Sequence, residues 1–299
     1  MKIGLFVNSY AGKGRAYREF DGVLSKLEEM GYKVSLGILK KFGEGFKVLK
    51  NLLSRGIDLL ITIGGDGTIN EAVNLLVFKK IPLLPLPFGT GNDFVKYLYK
   101  DKKWYEILEE VFSRRVLKVD FIDVGYVKYG NKKRFFVNGF GIGFDAYVAR
   151  AIRKIPFLSG DILYFLGVLL AFIGFRNPYY KVFVDDRLVG KDRFMICGVG
   201  CGQYLGGGFR LFPHASLKDG LLDIDLIKKV NFLKFLKKVN LVFKGEHLKE
   251  KEVKYLKGKK VKIISSKSVY FHIDGEVSER AIREVEIGIL PKVLEVVVL

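Results

Sequence analysis

Asp58-Leu59-Leu60-Ile61-Thr62-Ile63-Gly64-Gly65-Asp66-Gly67-Thr68-Ile69-Asn70-Glu71 reads as an apolar strand that runs into a glycine-rich turn and then into a helix. Leu59 to Ile63 is continuous and β-prone, the pattern of a strand covered on both faces in a parallel sheet. The glycines at 64, 65 and 67 let the backbone turn sharply and approach another molecule with no Cβ in between. Thr68 to Glu71 is expected to supply N-cap chemistry for a helix continuing through Ala72-Val73-Asn74-Leu75-Leu76. Strand, glycine turn and helix N-terminus together form a place for an anion.

Two neighbouring stretches repeat this logic. Leu83-Leu84-Pro85-Leu86-Pro87-Phe88-Gly89-Thr90-Gly91-Asn92-Asp93-Phe94 is again strand, glycine turn and polar cap, and Gly12-Lys13-Gly14-Arg15 follows a first strand at Ile3 to Val7. Turns of this kind lie at the carboxyl ends of parallel strands, where open α/β sheets bind ligands. Neither the Gly12 turn nor the Gly64 turn has the spacing of a Walker A loop or a dinucleotide fingerprint, so the phosphate site is of another type.

The remaining first half alternates strand and helix. Tyr17 to Met30 carries Phe20, Val23, Leu24 and Leu27 on one helical face, with Gly31 as its stop. Tyr32 to Leu39 is a strand, Gly45 to Arg55 a helix, and Trp104 to Phe112 a further helix ended by Arg114-Arg115. This alternation predicts an α/β domain with a doubly wound parallel sheet over residues 1–118. From residue 119 to 299 the rhythm changes to short runs separated by Gly, Asn, Asp and Lys-rich turns, which predicts an antiparallel β domain with a helical insertion near 145–175. No Gly/Ser or Pro-rich linker divides the halves, so a tight interface with a cleft is expected. Any segment returning to the first domain after the last β-like run is expected to be very short.

With 299 residues, 49% of them hydrophobic, the chain can fill two cores. Its net charge of +19 attracts polyanions, whether nucleic acid, an anionic membrane face or phosphorylated small molecules. No signature of the usual nucleic-acid modules accompanies that charge, so no specific nucleic-acid partner is expected. Cys197 and Cys201 are too few for a zinc site and read as free thiols in a reducing compartment, and the amino terminus has no signal-peptide pattern; a cytoplasmic location is expected. Ile162 to Phe175 is a run of fourteen residues without a charge, bracketed by Asp161 and Arg176. A membrane span needs about 20 apolar residues, so the run reads either as a buried core helix or as an apolar wall and bilayer dock, with Arg150, Arg153 and Lys154 upstream.

For chemistry, His214, His247 and His272 are scattered singly and no Gly-x-Ser-x-Gly elbow exists, which leaves metal-histidine and acyl-transfer reactions without support. Carboxylates beside glycine turns remain: Asp66, Asp93, Asp219, Asp223, Asp274 and Glu276. Phosphoryl transfer needs a phosphate cradle, hard oxygen ligands for Mg²⁺ and a base near the attacking hydroxyl, and this chain has candidates for all three. Read locally, Asp219-Gly220 and Asp274-Gly275-Glu276 are hairpin turns.

Taken as an ordered set, Gly64-Gly65-Asp66-Gly67-Thr68-Ile69-Asn70-Glu71, Pro87 to Phe94, Asn138-Gly139-Phe140-Gly141-Ile142-Gly143-Phe144-Asp145-Ala146, Gly206 to Asp223 and Asp274-Gly275-Glu276 resemble the diacylglycerol kinase catalytic-domain family. The likeness is to its soluble bacterial lipid kinases, which are similar to sphingosine and ceramide kinases, and it spans nearly the whole chain. It implies an amino-terminal nucleotide domain and a carboxyl-terminal β-sandwich. It further implies ATP and Mg²⁺ as cofactors. Asn8, Gly12, Lys13, Gly64, Gly65, Asp66, Gly67, Thr68, Ile69, Asn70, Thr90, Asn92 and Asp93 are the nucleotide-binding candidates, with Asp66 organising the catalytic metal. Glu276 is implied as the base that takes the proton from a lipid hydroxyl, and Ser216, Asp219 and the Leu221 carbonyl as holders of a structural Mg²⁺. The chain departs from the pattern at Asn8-Ser9-Tyr10, where Asn-Pro is common, at Leu39-Lys40-Lys41, which lacks a threonine, and at Val277, where proline is frequent.

The leading expectation is therefore a lipid kinase working at an anionic membrane surface, peripherally attached to its inner face. An NAD kinase shares a Gly-Gly-Asp-Gly turn but places its Asn-Glu pair on a later element, whereas Asn70-Glu71 follows the turn directly here. A lipid-binding regulatory protein that has lost catalysis is the alternative of another class, against which Asp66, Asp219 and Glu276 stand together. A strand edge at the end of the β domain is a place where two copies could pair as a homodimer.

Overall fold

The computed structural model describes residues 1–153 and 161–299. Two compact units divide them: Met1–Val124 together with Leu290–Leu299, and Gly125–Ile289. The sequence boundary at 118/119 lies just ahead of the strand Val119–Tyr129, within which the two units divide, and the last ten residues belong to the first unit.

In the first unit the chain runs β1 (Lys2–Asn8), α1 (Arg15–Glu29), β2 (Lys33–Leu39), α2 (Gly45–Ser54), β3 (Leu59–Gly64), α3 (Asp66–Leu76), β4 (Leu83–Pro87), α4 (Asp93–Tyr99), α5 (Trp104–Phe112) and the start of β5 (Val119–Tyr129). The sheet order β2-β1-β3-β4 is parallel throughout, with Leu5 opposite Ile61 and Ile61 opposite Leu84. Every side chain of β3 from Leu59 to Ile63 is buried, as its unbroken apolar run requires. Helix α1 buries Ala16, Phe20, Val23 and Leu27, one face at helical spacing, and Gly31 beyond its end has φ +81°.

The second unit continues with β6 (Lys132–Phe136), β7 (Gly139–Gly143), α6 (Phe144–Arg153), α7 (Asp161–Gly174), β8 (Tyr180–Val184), β9 (Arg187–Asp192), β10 (Phe194–Gly200), β11 (Leu222–Lys228), α8 (Phe232–Lys244), a 3-10 turn (His247–Lys249), β12 (Val253–Gly258), β13 (Lys260–Val269), β14 (Phe271–Ile273), β15 (Glu276–Val277) and β16 (Ile282–Val297). One antiparallel sheet has the order β12-β11-β10-β7-β14-β15; in the other, β13 lies between β8 and the first part of β16. This is the antiparallel architecture expected from the sequence. The Lys154 and Phe165 side chains, part of the apolar-insertion reading, lie outside the described residues.

β16 carries the chain back to the first unit, where Val296 pairs with Leu83 of β4. Tyr99 donates its hydroxyl to the Val297 carbonyl at 2.7 Å, and Phe78 N–H bonds the Val293 carbonyl at 3.0 Å. Several elements differ from the sequence reading, among them β7, β8's partner β9, β12 and α8. β7 is a strand although three of its five residues are glycine, and α8 is a helix where only a Lys-rich separator was expected.

A buried histidine–carboxylate contact lies in the second unit: His247 Nε2 is 2.9 Å from Asp225 Oδ2 of β11, with both side chains almost wholly covered. Burial pushes the Asp225 carboxyl above the usual range, and the His247 contact partly offsets this. A carboxyl with a raised folded pKa favours the native state when protonated, and that contribution is lost as pH rises from the unfolded value through the folded one. His247→Leu removes this offset, so its destabilisation should grow with pH, from small near pH 4 to about 3 kcal/mol at pH 8. Urea midpoints across that range check it; a pH-independent cost would show that packing, not charge, dominates.

Candidate active site

Three strand ends meet side by side in the first unit because β1, β3 and β4 are parallel neighbours. After β3 the turn is tight, since a Cβ on Gly64 would lie 2.2 Å from Thr68 Oγ1. Gly65, with φ −109° and ψ −166°, is the extended cap residue, so α3 starts at Asp66 and not beyond Thr68 as the sequence suggested. Asp66 suits the positive end of the helix. Thr68 is instead drawn inside the first turn, where its Oγ1 accepts from Asn8 Nδ2 at 2.9 Å.

Gly65 and Gly89 press backbone against backbone. A Cβ on Gly89 would stand 2.3 Å from Gly65 Cα, and one on Gly65 would stand 2.9 Å from Gly89 Cα. Asp66 Oδ1 accepts the Phe94 N–H at 3.2 Å and ties the first loop to the second. Asn92, at φ +54°, folds its amide over the same turn, accepting from Gly89 N–H at 2.8 Å and donating to the Gly89 carbonyl at 3.0 Å. The third turn closes on them: Gly12 has φ +57° with a Cβ position only 2.3 Å from the Phe88 carbonyl, and Arg15 Nη2 donates to the Pro87 carbonyl at 2.5 Å.

The predicted nucleotide residues therefore separate into two groups. Asn8 and Thr68 brace one turn to another and Asn92 braces its own turn, while Ile69, Asn70 and Asp93 are buried. Gly65, Asp66 and Gly67 are partly exposed, and Lys13 and Thr90 are exposed. Two of the three sequence departures touch one another. Ser9 Oγ donates to the Leu39 carbonyl at 2.5 Å and Tyr10 Oη to the Lys40 carbonyl at 2.9 Å, so the residues replacing Asn-Pro hold the segment that lacks a threonine.

In the second unit, Glu276 follows a two-residue turn in which Asp274 and Gly275 both have positive φ, +46° and +83°. That is the type I′ hairpin geometry for which Asp-Gly is suited, and Ile273 pairs with Glu276 across it. The turn is clamped from beneath. The buried Asp274 carboxylate accepts the N–H groups of Val137 at 3.2 Å, Asn138 at 2.9 Å and Gly139 at 2.9 Å. Asp274→Ala orphans these buried donors and should lower stability by about 3 kcal/mol, with kcat falling alongside because Glu276 loses its seat. Thermal unfolding and initial rates check this; an unchanged melting temperature would mean the turn does not need the clamp.

Glu276 itself is half exposed, 4.0 Å from Arg134 Nη2. On the same sheet, His272 Nε2 lies 3.0 Å from Asp145 Oδ2. Gly141 makes room for the pair, since a Cβ there would fall 2.0 Å from that oxygen and 2.4 Å from the imidazole nitrogen. Sequence reasoning had quoted Asp145 within a motif and treated His272 as a single histidine; the signal for their partnership was the glycine alternation of β7, which leaves space at every second residue.

Asp219-Gly220 is not a hairpin. The Asp219 carboxylate accepts the Leu221 N–H at 3.0 Å, an Asx turn leading into β11, and no strand precedes it between Gly206 and Lys218. Ser216 Oγ accepts from Lys218 N–H at 3.3 Å. Lys257 Nζ stands 2.8 Å from Asp219 Oδ2 and 3.4 Å from Asp223 Oδ2, so an ammonium already occupies the place of a cation between the two carboxylates. As arranged, Ser216, Asp219 and Leu221 do not fit a metal unless Lys257 withdraws. Asp66 fits Mg²⁺ better, being a partly exposed carboxylate with hard oxygens beside a phosphate-type turn, where water and phosphate oxygens complete a shell.

Comparison with known proteins follows the same division. Residues 2–124 match the diacylglycerol kinase catalytic domain, and residues 139–298 match the YegS C-terminal NAD kinase beta sandwich-like domain. The chain is 28% identical over 275 residues to the diacylglycerol kinase of Bacillus subtilis strain 168, covering 91% of this chain and 88% of that one. It is 29% identical over 280 residues to a diacylglycerol kinase of Staphylococcus aureus, covering 91% and 85%. Among solved structures, a diacylglycerol kinase from Bacillus anthracis superposes with a TM-score of 0.72 at 22% identity, over 100% of this chain and 97% of that one. Yeast NADH kinase superposes with 0.54 at 13% identity, over 100% and 84%. These folds and matches define a kinase of the lipid-kinase class. The chain belongs to the diacylglycerol kinase catalytic-domain family.

Proposed function

We propose that this enzyme transfers the γ-phosphate of ATP, with Mg²⁺, to the hydroxyl of a diacylglycerol-like lipid at an anionic membrane surface. The observation that carries the reading is the Gly64–Gly67 turn locked backbone to backbone on Gly89, with Asp66 at the helix start. Exposed N–H groups at that turn and the α3 N-terminus favour phosphate. Asp66 would hold Mg²⁺, which would supply charge neutralisation on the phosphates. Asp66 holds its carboxylate in place through the Phe94 N–H, and Glu276 takes the proton as the lipid hydroxyl attacks in line.

Peripheral attachment accords with the composition. Among the described residues no helix is long and apolar enough to cross a membrane, while the net charge is +19. Each basic residue near an anionic bilayer contributes about 1 kcal/mol, so a few lysines hold the enzyme at its substrate.

The test is radiolabelled phosphate transfer from ATP to a panel of diacylglycerol, phosphatidylglycerol, sphingoid base and NAD, with and without Mg²⁺. Transfer to a lipid hydroxyl supports the reading. Transfer to NAD alone would replace it with the NAD kinase alternative, and no transfer to any acceptor would favour the regulatory one.

A further inference from the structure

Helix α8 is amphipathic, yet none of its thirteen residues is fully buried. Its inner side is satisfied by packing and by ion pairs. Phe232 and Phe235 stack near Phe172 of α7 at 5.2 and 5.1 Å, Lys234 meets Glu252 at 2.6 Å, and Lys238 meets Glu250. The outer side follows the spacing Leu233, Leu236, Asn240, Phe243. Leu233 is 71% exposed, Leu236 39% and Phe243 42%. Lys237 and Lys244 are exposed on the same helix and make no ion pair among the described residues. Its neighbour α7 adds Leu170 at 47% and Ile173 at 77% exposure, with Arg176 exposed just beyond.

We propose that this apolar stripe of α8, with the exposed residues of α7, is the face on which the enzyme docks onto an anionic bilayer. The inference rests on the lipid-kinase reading for its biological setting but on the helix itself for its geometry. A basic amphipathic helix with exposed leucine and phenylalanine on one side lies in the plane of a membrane interface, its apolar face in the acyl boundary and its lysines on the headgroups. A second copy of the chain is the poorer occupant. Pairing two such faces brings like-charged lysine rims together, whereas lipid phosphates meet the same rim with opposite charge.

The experiment measures co-sedimentation of the full chain with two kinds of vesicle: phosphatidylcholine alone, and phosphatidylcholine with about a third phosphatidylglycerol. Leu233→Ser/Leu236→Ser should lower partitioning onto the anionic vesicles by about tenfold, because two leucines no longer enter the acyl boundary. Lys237→Glu/Lys244→Glu should lower it by more than tenfold on anionic vesicles and leave phosphatidylcholine binding unchanged. All four positions are solvent-facing, and matching thermal midpoints establish that the variants are folded. Wild-type partitioning by both variants overturns the proposal. So does a wild-type dimer in lipid-free sedimentation equilibrium that Leu233→Ser/Leu236→Ser converts to monomer. Phosphate transfer to a short-chain, water-soluble diacylglycerol separates the two readings: both variants should retain it. Its absence in wild type counts against the kinase function, while vesicle partitioning still decides the docking face.

Discussion

Glu276→Ala is expected to reduce phosphate transfer by about 10²–10⁴-fold while leaving the fold and ATP affinity intact. The side chain is half exposed and its partner Arg134 is 4.0 Å away, an exposed pairing that contributes little to stability. Stability should therefore shift by no more than about 0.5 kcal/mol. The expected split is a large loss in kcat with an unchanged urea midpoint and unchanged nucleotide affinity by fluorescence titration. That split distinguishes a base from a structural residue, since Asp274, one turn away, should lose both stability and rate. A Glu276→Ala enzyme as fast as wild type would move the base elsewhere, and the pair formed by His272 of the same sheet with Asp145 of α6 becomes the next group to substitute.

Gly89→Ala should abolish measurable ATP binding, a loss of about 100-fold or more, and should cost about 2–4 kcal/mol of stability. The added methyl group meets Gly65 Cα at 2.3 Å, which is backbone and cannot swing aside, and Asn92 Oδ1 at 2.9 Å. The two turns must separate, and the Asp66 to Phe94 and Asn92 to Gly89 bonds separate with them. Gly43→Ala is the matched control. Gly43 has φ +85° but no atom within 4 Å of its Cβ position, so its substitution carries only backbone strain of about 1 kcal/mol. Isothermal titration with ATP and thermal unfolding of both variants check the comparison. If Gly89→Ala binds ATP like wild type, the contact between the two turns is not what shapes the phosphate site.

Much of the first unit was legible because its signals are local. An unbroken apolar run such as Leu59 to Ile63 has one stable place, a strand covered on both faces, and the glycine turns follow from the alternation of strand and helix. Asp274-Gly275 was legible as a hairpin for the same reason, since the conformation it needs is a property of those two residues. Asp219-Gly220 has the same spelling and is no hairpin; its aspartate bonds Leu221 and Lys257, and a hairpin would need two flanking strands, of which only β11 exists. β7 escaped notice because glycine weakens strand propensity, and the strand is stabilised by neighbours on both edges, β10 and β14.

Sequence by itself determined the doubly wound first domain, the antiparallel character of the second, and the glycine turns with their acidic residues, because periodicity, turn chemistry and the ordered motifs act over a few residues. Tertiary structure alone decided that Asn8 and Thr68 brace one another, that Gly65 lies against Gly89, that Asp274 receives three backbone donors from Val137 to Gly139, and that the chain's last residues return to β4. Those are contacts between residues far apart in the chain, set by which strands are neighbours and how closely their turns approach. Asp66-Gly67 reads as an anion turn in isolation; that the loop holds one rigid shape follows from the second turn packed against it, which no window of local sequence contains.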